Sequence, residues 1–164
     1  MSDMHFNDAY SEEDVATLTA INPVDVRVAA MDLLARREHS RKELKRKLSK
    51  RFDDESIVDE QLDRLSDENL QSDSRFAESF VRQRYNRGYG PLRIRQELLQ
   101  RGISDGDIQA AMADEEDYDW CASAAAVLSR KYGNLPAIEL KEKARRTRFM
   151  QYRGFSADHY RHCL

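Results

Sequence analysis

Apolar side chains recur along this chain at helical spacing, and nowhere with the strict alternation of a half-buried strand. Phe76, Ala77, Phe80, Val81 and Tyr85 follow an i, i+4, i+5 stripe, which predicts a helix with one face in a core. Ser72 or Asp73 stands where its cap belongs. Gly88-Tyr89-Gly90 then breaks the stripe. Pro91 suits the first position of a second helix, because the N–H it lacks would be unpaired there anyway. Ile94 and Leu98 mark the inner side of that helix, which runs to Arg101, and Gly102 ends it. Ser104 followed by Asp107 resembles a capping box opening a third helix, with Ile108, Ala111 and Met112 turned inward.

The same punctuation recurs. A shift of 50 residues lays Arg37 on Arg87, Leu44 on Ile94, Lys45 on Arg95, Leu48 on Leu98 and Arg51 on Arg101. A shift of 52 lays Arg101-Gly102-Ile103-Ser104 on Arg153-Gly154-Phe155-Ser156, Ile108 on Tyr160 and Met112 on Leu164. We therefore expect an all-α chain of three tandem three-helix repeats, helix-turn-helix-like, at 26–70, 71–115 and 116–164. In the first, Ser40 and Glu43 form the better capping box, and residues 53–70 make an acid-rich third helix anchored by Ile57, Leu62 and Leu65. In the last, Trp120, Ala124 and Leu128 mark the first helix, and Gly133 to Pro136 breaks it. Units this small bury little by themselves, so stacking into an elongated, curved array is expected.

Charge sharpens the picture. The 164 residues, one domain's length, carry 27 Lys and Arg against 30 Asp and Glu, for a net charge of −3. Near-neutrality excludes a histone-like polycation, but the average hides blocks. Residues 1–26 hold six acids and no base, so 1–25 read as an acidic, flexible tail with one short helix near 11–20. Residues 36–51 hold nine bases, 82–101 hold six Arg and 130–153 hold eight bases, with acid-rich stretches between. No window approaches the ~18 apolar residues of a membrane span. The N-terminus has no signal-peptide pattern. A cytoplasmic chain without membrane contact is expected.

Candidate chemistry narrows to binding. No GxxxxGK[ST], GxSxG or HExxH motif occurs. The acids from Asp53 to Asp63, and those at 115–119, have helical spacing without a second acidic motif, which favours solvated faces over a metal-dependent nuclease. Cys121 and Cys163 have no paired spacing and read as buried or idle thiols. His159, His162 and Cys163 lack the distant second pair a zinc site needs, so neither metal nor cofactor is expected. Twenty of the bases are Arg, suited to bidentate carboxylate or phosphate contacts. Arg95 lies between Leu98 and Leu99 on an otherwise apolar arc, either snorkelling from the core or pointing at a partner. Tyr89 sits between two glycines, a loop position from which it could stack or dock. Charge and placement single out Lys42, Lys45, Arg46, Arg82, Arg84, Arg87, Tyr89, Arg93, Arg95 and Arg101 as partner- or DNA-binding residues. Basic runs in register on stacked repeats would track a phosphate backbone or an acidic protein.

The stretch DSRFAESFVRQRYNRGYGPLRIRQELLQRGIS (73–104) resembles the signature of the RecX family of bacterial recombinase regulators. HSRKELKRKLSKRF (39–52) is similar to that family's N-terminal motif, and RFMQYRGFSADHYRHCL (148–164) to its closing repeat. The resemblance covers about residues 26–164. It implies an all-helical, non-enzymatic protein that lies in the groove of the RecA filament on single-stranded DNA. It further implies suppression of RecA's ATPase, strand exchange and coprotease activities, tied to DNA repair and the SOS response. The partners expected are thus the RecA filament and single- or double-stranded DNA, engaged by a monomer. The competing expectation is a free-standing helical nucleic-acid-binding module.

Overall fold

The computed structural model describes residues 20–113 and 117–164, all helical or loop. The acidic tail's residues 1–19, with most of the short helix expected near 11–20, lie outside the described residues. Three helix triplets follow in order. The first comprises α1 (Pro23–Arg36), α2 (Arg41–Ser49) and α3 (Glu55–Asp67). The second comprises α4 (Asp73–Asn86), α5 (Pro91–Gln100) and α6 (Asp105–Met112). The third comprises α7 (Trp120–Tyr132), α8 (Leu140–Arg153) and the short α9 (Ala157–Tyr160), closed by a 3-10 turn. The densest packing between helices falls within each triplet.

Local chemistry sets these boundaries. Ser40, Ser72 and Ser104 accept from the backbone N–H of Glu43, Arg75 and Asp107. Each bond satisfies a donor that the first helical turn leaves unpaired. The Glu43 carboxylate does not close the expected capping box; it pairs with Arg37 at 3.0 Å instead. Asn22 caps α1 by accepting from Val24 N–H, so Pro23, Val24 and Asp25 belong to a helix and not to the tail.

Each triplet is centred on its own cluster of buried residues. The first packs Val26, Leu44, Leu48, Val58, Leu62 and Leu65. Val58 is fully buried while Ile57 is only half-buried, so the anchor of α3 sits one residue later than expected. The second core packs Phe76, Phe80, Val81, Ile94, Leu98 and Ile108, and the third Leu128, Met150, Phe155 and Tyr160. Trp120 touches both of the last two cores. Its ring lies 5.2 Å from Tyr85 and 5.6 Å from Tyr118, an aromatic knot across the boundary between the second and third triplets.

Candidate functional site

The second helices of the three triplets are set end to end. At the C-terminus of α8, the carbonyls of Arg153 and Gly154 accept from the N–H groups of Gly90 and Leu92 at 2.8 and 3.0 Å. The Tyr152 carbonyl accepts from the Arg93 guanidinium at 3.1 Å. At the C-terminus of α5, the carbonyls of Arg101 and Gln100 accept from Ser40 Oγ at 2.8 Å and Lys42 Nζ at 3.1 Å. Each joint thus satisfies the orphan carbonyls of one helix with donors at the start of another. It also places the negative end of one helix dipole against the positive end of the next. The result is one row, α8–α5–α2, built from all three basic blocks.

The outward face of the row has a pattern. On α8, Lys141, Arg145, Arg148 and Tyr152 are exposed and fall at i, i+4, i+7 and i+11, one helical stripe. Where α8 meets α5, a groove of about 400 Å³ is lined by Leu92, Gln96, Gln100, Gln151 and Tyr152 among others. Gln100 also borders a groove of about 360 Å³ with Lys42 and Arg46 of α2. The row is therefore basic at both ends, with an aromatic, amide-lined centre.

The ten residues singled out from sequence divide into three groups. Lys42 and Arg46 lie on the row. Arg82 and Arg87 are exposed on and just after α4, and the Arg87 carbonyl accepts from the Arg153 guanidinium at 3.2 Å. The others are engaged inside the molecule. Glu97 pairs with Arg84 and Arg93, each at 2.9 Å, and Glu43 with Arg101 at 3.6 Å. Lys45 meets Asp59 at 3.0 Å. Arg95 is exposed and pairs with Asp105, so it snorkels to an acid of α6. Tyr89 is half-buried; guanidinium carbons of Arg84, Arg93 and Arg153 lie 4.7–5.4 Å from its ring centre. It is a packing platform within the α5–α8 joint and not a free loop aromatic.

Lys141, Arg145, Arg148 and Tyr152 were missed by the sequence reading, although their spacing was there to find. Hydrogen bonds to Glu97 and to Tyr152 hold the Arg93 pKa above the ordinary arginine value. His39 is 2% exposed, and burial pushes its pKa below the ordinary histidine value. His159 is likewise lowered by burial; its Nδ1 accepts from Ser156 N–H at 3.2 Å, capping α9. Among the described residues, no group of His, Cys, Asp and Glu is arranged to hold a metal. Cys121 and Cys163 are both exposed thiols, so the buried alternative does not apply. No helix among the described residues is long and apolar enough to cross a membrane.

Family models agree with the triplets one by one: RecX first three-helix domain over 27–65, second over 72–112 and third over 117–164. The chain belongs to the RecX family. The "Regulatory protein RecX" of Pseudomonas entomophila (strain L48) is 48% identical over 136 residues, 83% of this chain and 87% of that one. That of Ectopseudomonas mendocina (strain ymp) is 51% identical over 137 residues, 84% of this chain and 91% of that one. Among solved structures, a crystal structure of regulatory protein RecX matches with a TM-score of 0.72 at 28% identity, covering 92% of this chain and 76% of that one. RecX from Lactobacillus salivarius matches at 0.68 and 25% identity, covering 84% and 90%. The RecX fold of three tandem three-helix domains is therefore that of this chain, and its relatives are named as regulators.

Proposed function

We propose that this chain is a non-enzymatic, cytoplasmic, monomeric inhibitor of RecA that binds the recombinase filament on single-stranded DNA. It lowers ATP hydrolysis, strand exchange and coprotease activity, and so modulates DNA repair and the SOS response. Family membership supports the choice of partner. The observation that carries the mode of action is the α8–α5–α2 row. At ~1.5 Å per residue its helices represent roughly 50 Å of helical length, enough to contact more than one protomer of a filament. Its basic ends suit an acidic protein groove or phosphates, and the joints hold the surface in one register before binding. Preorganisation of that kind reduces the ordering cost of association.

The test is RecA ATP hydrolysis on single-stranded DNA with substoichiometric amounts of this protein added. A dose-dependent fall is expected; unaltered hydrolysis would sink the proposal. The exposed basic stripes also favour a second reading, a free-standing nucleic-acid-binding module. It requires tight, salt-sensitive DNA binding without recombinase and no effect on RecA.

A further inference from the structure

We propose that Tyr152 and the groove beneath it form a stacking site for an unpaired nucleobase, with the strand's phosphates running along α8. This deepens the DNA-contact part of the function proposed above and rests on it. Tyr152 is 71% exposed, the one aromatic residue in the exposed class among the described residues. Burial would ordinarily claim a ring of that size. Its ring is nevertheless held. Arg93 is fixed by Glu97 at 2.9 Å and donates to the Tyr152 carbonyl. The same guanidinium carbon lies 4.8 Å from the Tyr152 ring centre and 4.7 Å from that of Tyr89. One side of Tyr152 is thus occupied by a clamped cation, while most of the ring meets solvent.

What surrounds that open surface decides the ligand class. Gln96, Gln100 and Gln151 line the groove, and amide side chains offer both donors and acceptors to a base edge. Arg148, Arg145 and Lys141 continue the Tyr152 stripe along α8, with about 5–6 Å between neighbouring Cβ atoms on a helix face. Lys42 and Arg46 continue the row beyond Gln100. An acidic peptide would use the cations but has no need of a bare aromatic ring with amides beside it. A base-bearing single strand uses all three. Stacking platforms flanked by basic grooves are how sequence-tolerant single-strand binders work.

The experiment measures binding of the full chain to a fluorescent oligothymidylate of about 20 nucleotides and to an abasic strand of equal length, by anisotropy at low salt. Wild type is expected to bind the base-bearing strand more tightly. Tyr152→Ala weakens that binding about 10-fold, leaves the abasic strand unchanged, and Tyr152→Phe restores it. Arg145→Ala with Arg148→Ala weakens both strands alike and lowers the salt slope by about 1.4. Equal affinity of wild type for the two strands, or an equal loss on both in Tyr152→Ala, overturns the site. Unaltered binding of Tyr152→Ala, with its helical spectrum intact, also overturns it. RecA ATPase measured in parallel separates the two proposals. Inhibition without base-dependent binding sinks only the site, and base-dependent binding without inhibition sinks only the proposed function.

Discussion

The two joints of the row occupy the same place in their repeats and are made of different chemistry. Between α5 and α2 the donors are side chains, Ser40 Oγ and Lys42 Nζ, supported by the Arg101–Glu43 pair. Between α8 and α5 two of the donors are backbone N–H groups, those of Gly90 and Leu92. The backbone can come that close because neither partner has a side chain. A Cβ on Gly90 would lie 2.4 Å from the Gly154 carbonyl, and one on Gly154 would lie 2.3 Å from Arg93 Cβ. Gly154 also has φ of +95°, a conformation L side chains rarely adopt. One joint is thus adjustable and polar, the other rigid and sterically exact.

That contrast can be broken experimentally, and the largest effect falls on the rigid joint. Gly154→Ala and Gly90→Ala should each lower unfolding stability by about 3 kcal/mol or more, through overpacking and, at Gly154, backbone strain. Urea midpoints with unchanged slopes would show it. Ser40→Ala removes a cap and a joint bond together and should cost about 1–2 kcal/mol in the same measurement. A Ser40→Ala loss equal to that of the glycine variants would erase the distinction. Lys42→Ala, which breaks one exposed contact, should cost less than about 0.5 kcal/mol.

The adjustable joint also carries the subtlest expected effect, a dependence on pH. His39 precedes Ser40, and its carbonyl accepts from Gln71 Nε2. Burial opposes its protonation most, with the Arg37 and Lys47 charges adding to it, while a hydrogen bond to the Arg37 carbonyl and the Glu43 carboxylate favour it and only partly offset the loss. Its folded pKa is lowered, so the unfolded chain takes up the proton first. Stability should be full above about pH 6.5 and fall as pH drops toward the folded value. His39→Asn should make that slope shallower without flattening it, because half-buried His159, whose pKa is also lowered, contributes in the same direction. Thermal melts between about pH 7 and 5 would test this; an unaltered slope would exclude His39 as a source.

Much of the fold is legible in the sequence because its determinants are local. Ser40, Ser72 and Ser104 precede helices they cap, and the repeated Arg-Gly-Ile/Phe-Ser string marks two equivalent helix ends. The alignments that lay residue 40 on 90 and Arg101 on Arg153 also contain the joints, since Ser40 meets Arg101 as Gly90 meets Arg153. Nothing in the sequence says that these equivalent positions touch, because contact across about 60 residues depends on how the triplets stack. The basic surface was less legible for a related reason. Within 82–101 Glu97 is the one acid among six arginines, and its half-buried carboxylate holds Arg84 and Arg93. Tyr89 drew notice through its glycines, whereas those glycines permit the close approach that covers it. Tyr152 was inconspicuous within a run of bases, and only its helix position makes it the exposed end of a stripe.

The central claim is that the α8–α5–α2 row is the surface through which this chain acts on RecA. The most direct measurement compares RecA ATP hydrolysis on single-stranded DNA across a titration of wild type and of a variant carrying Lys42→Glu, Arg46→Glu, Arg145→Glu and Arg148→Glu. All four side chains are exposed and none belongs to a core, so unfolding midpoints should be close to wild type. The account predicts that the variant needs at least about 10-fold more protein for half-maximal inhibition, about 1.4 kcal/mol of lost binding. Superimposable inhibition curves would contradict it.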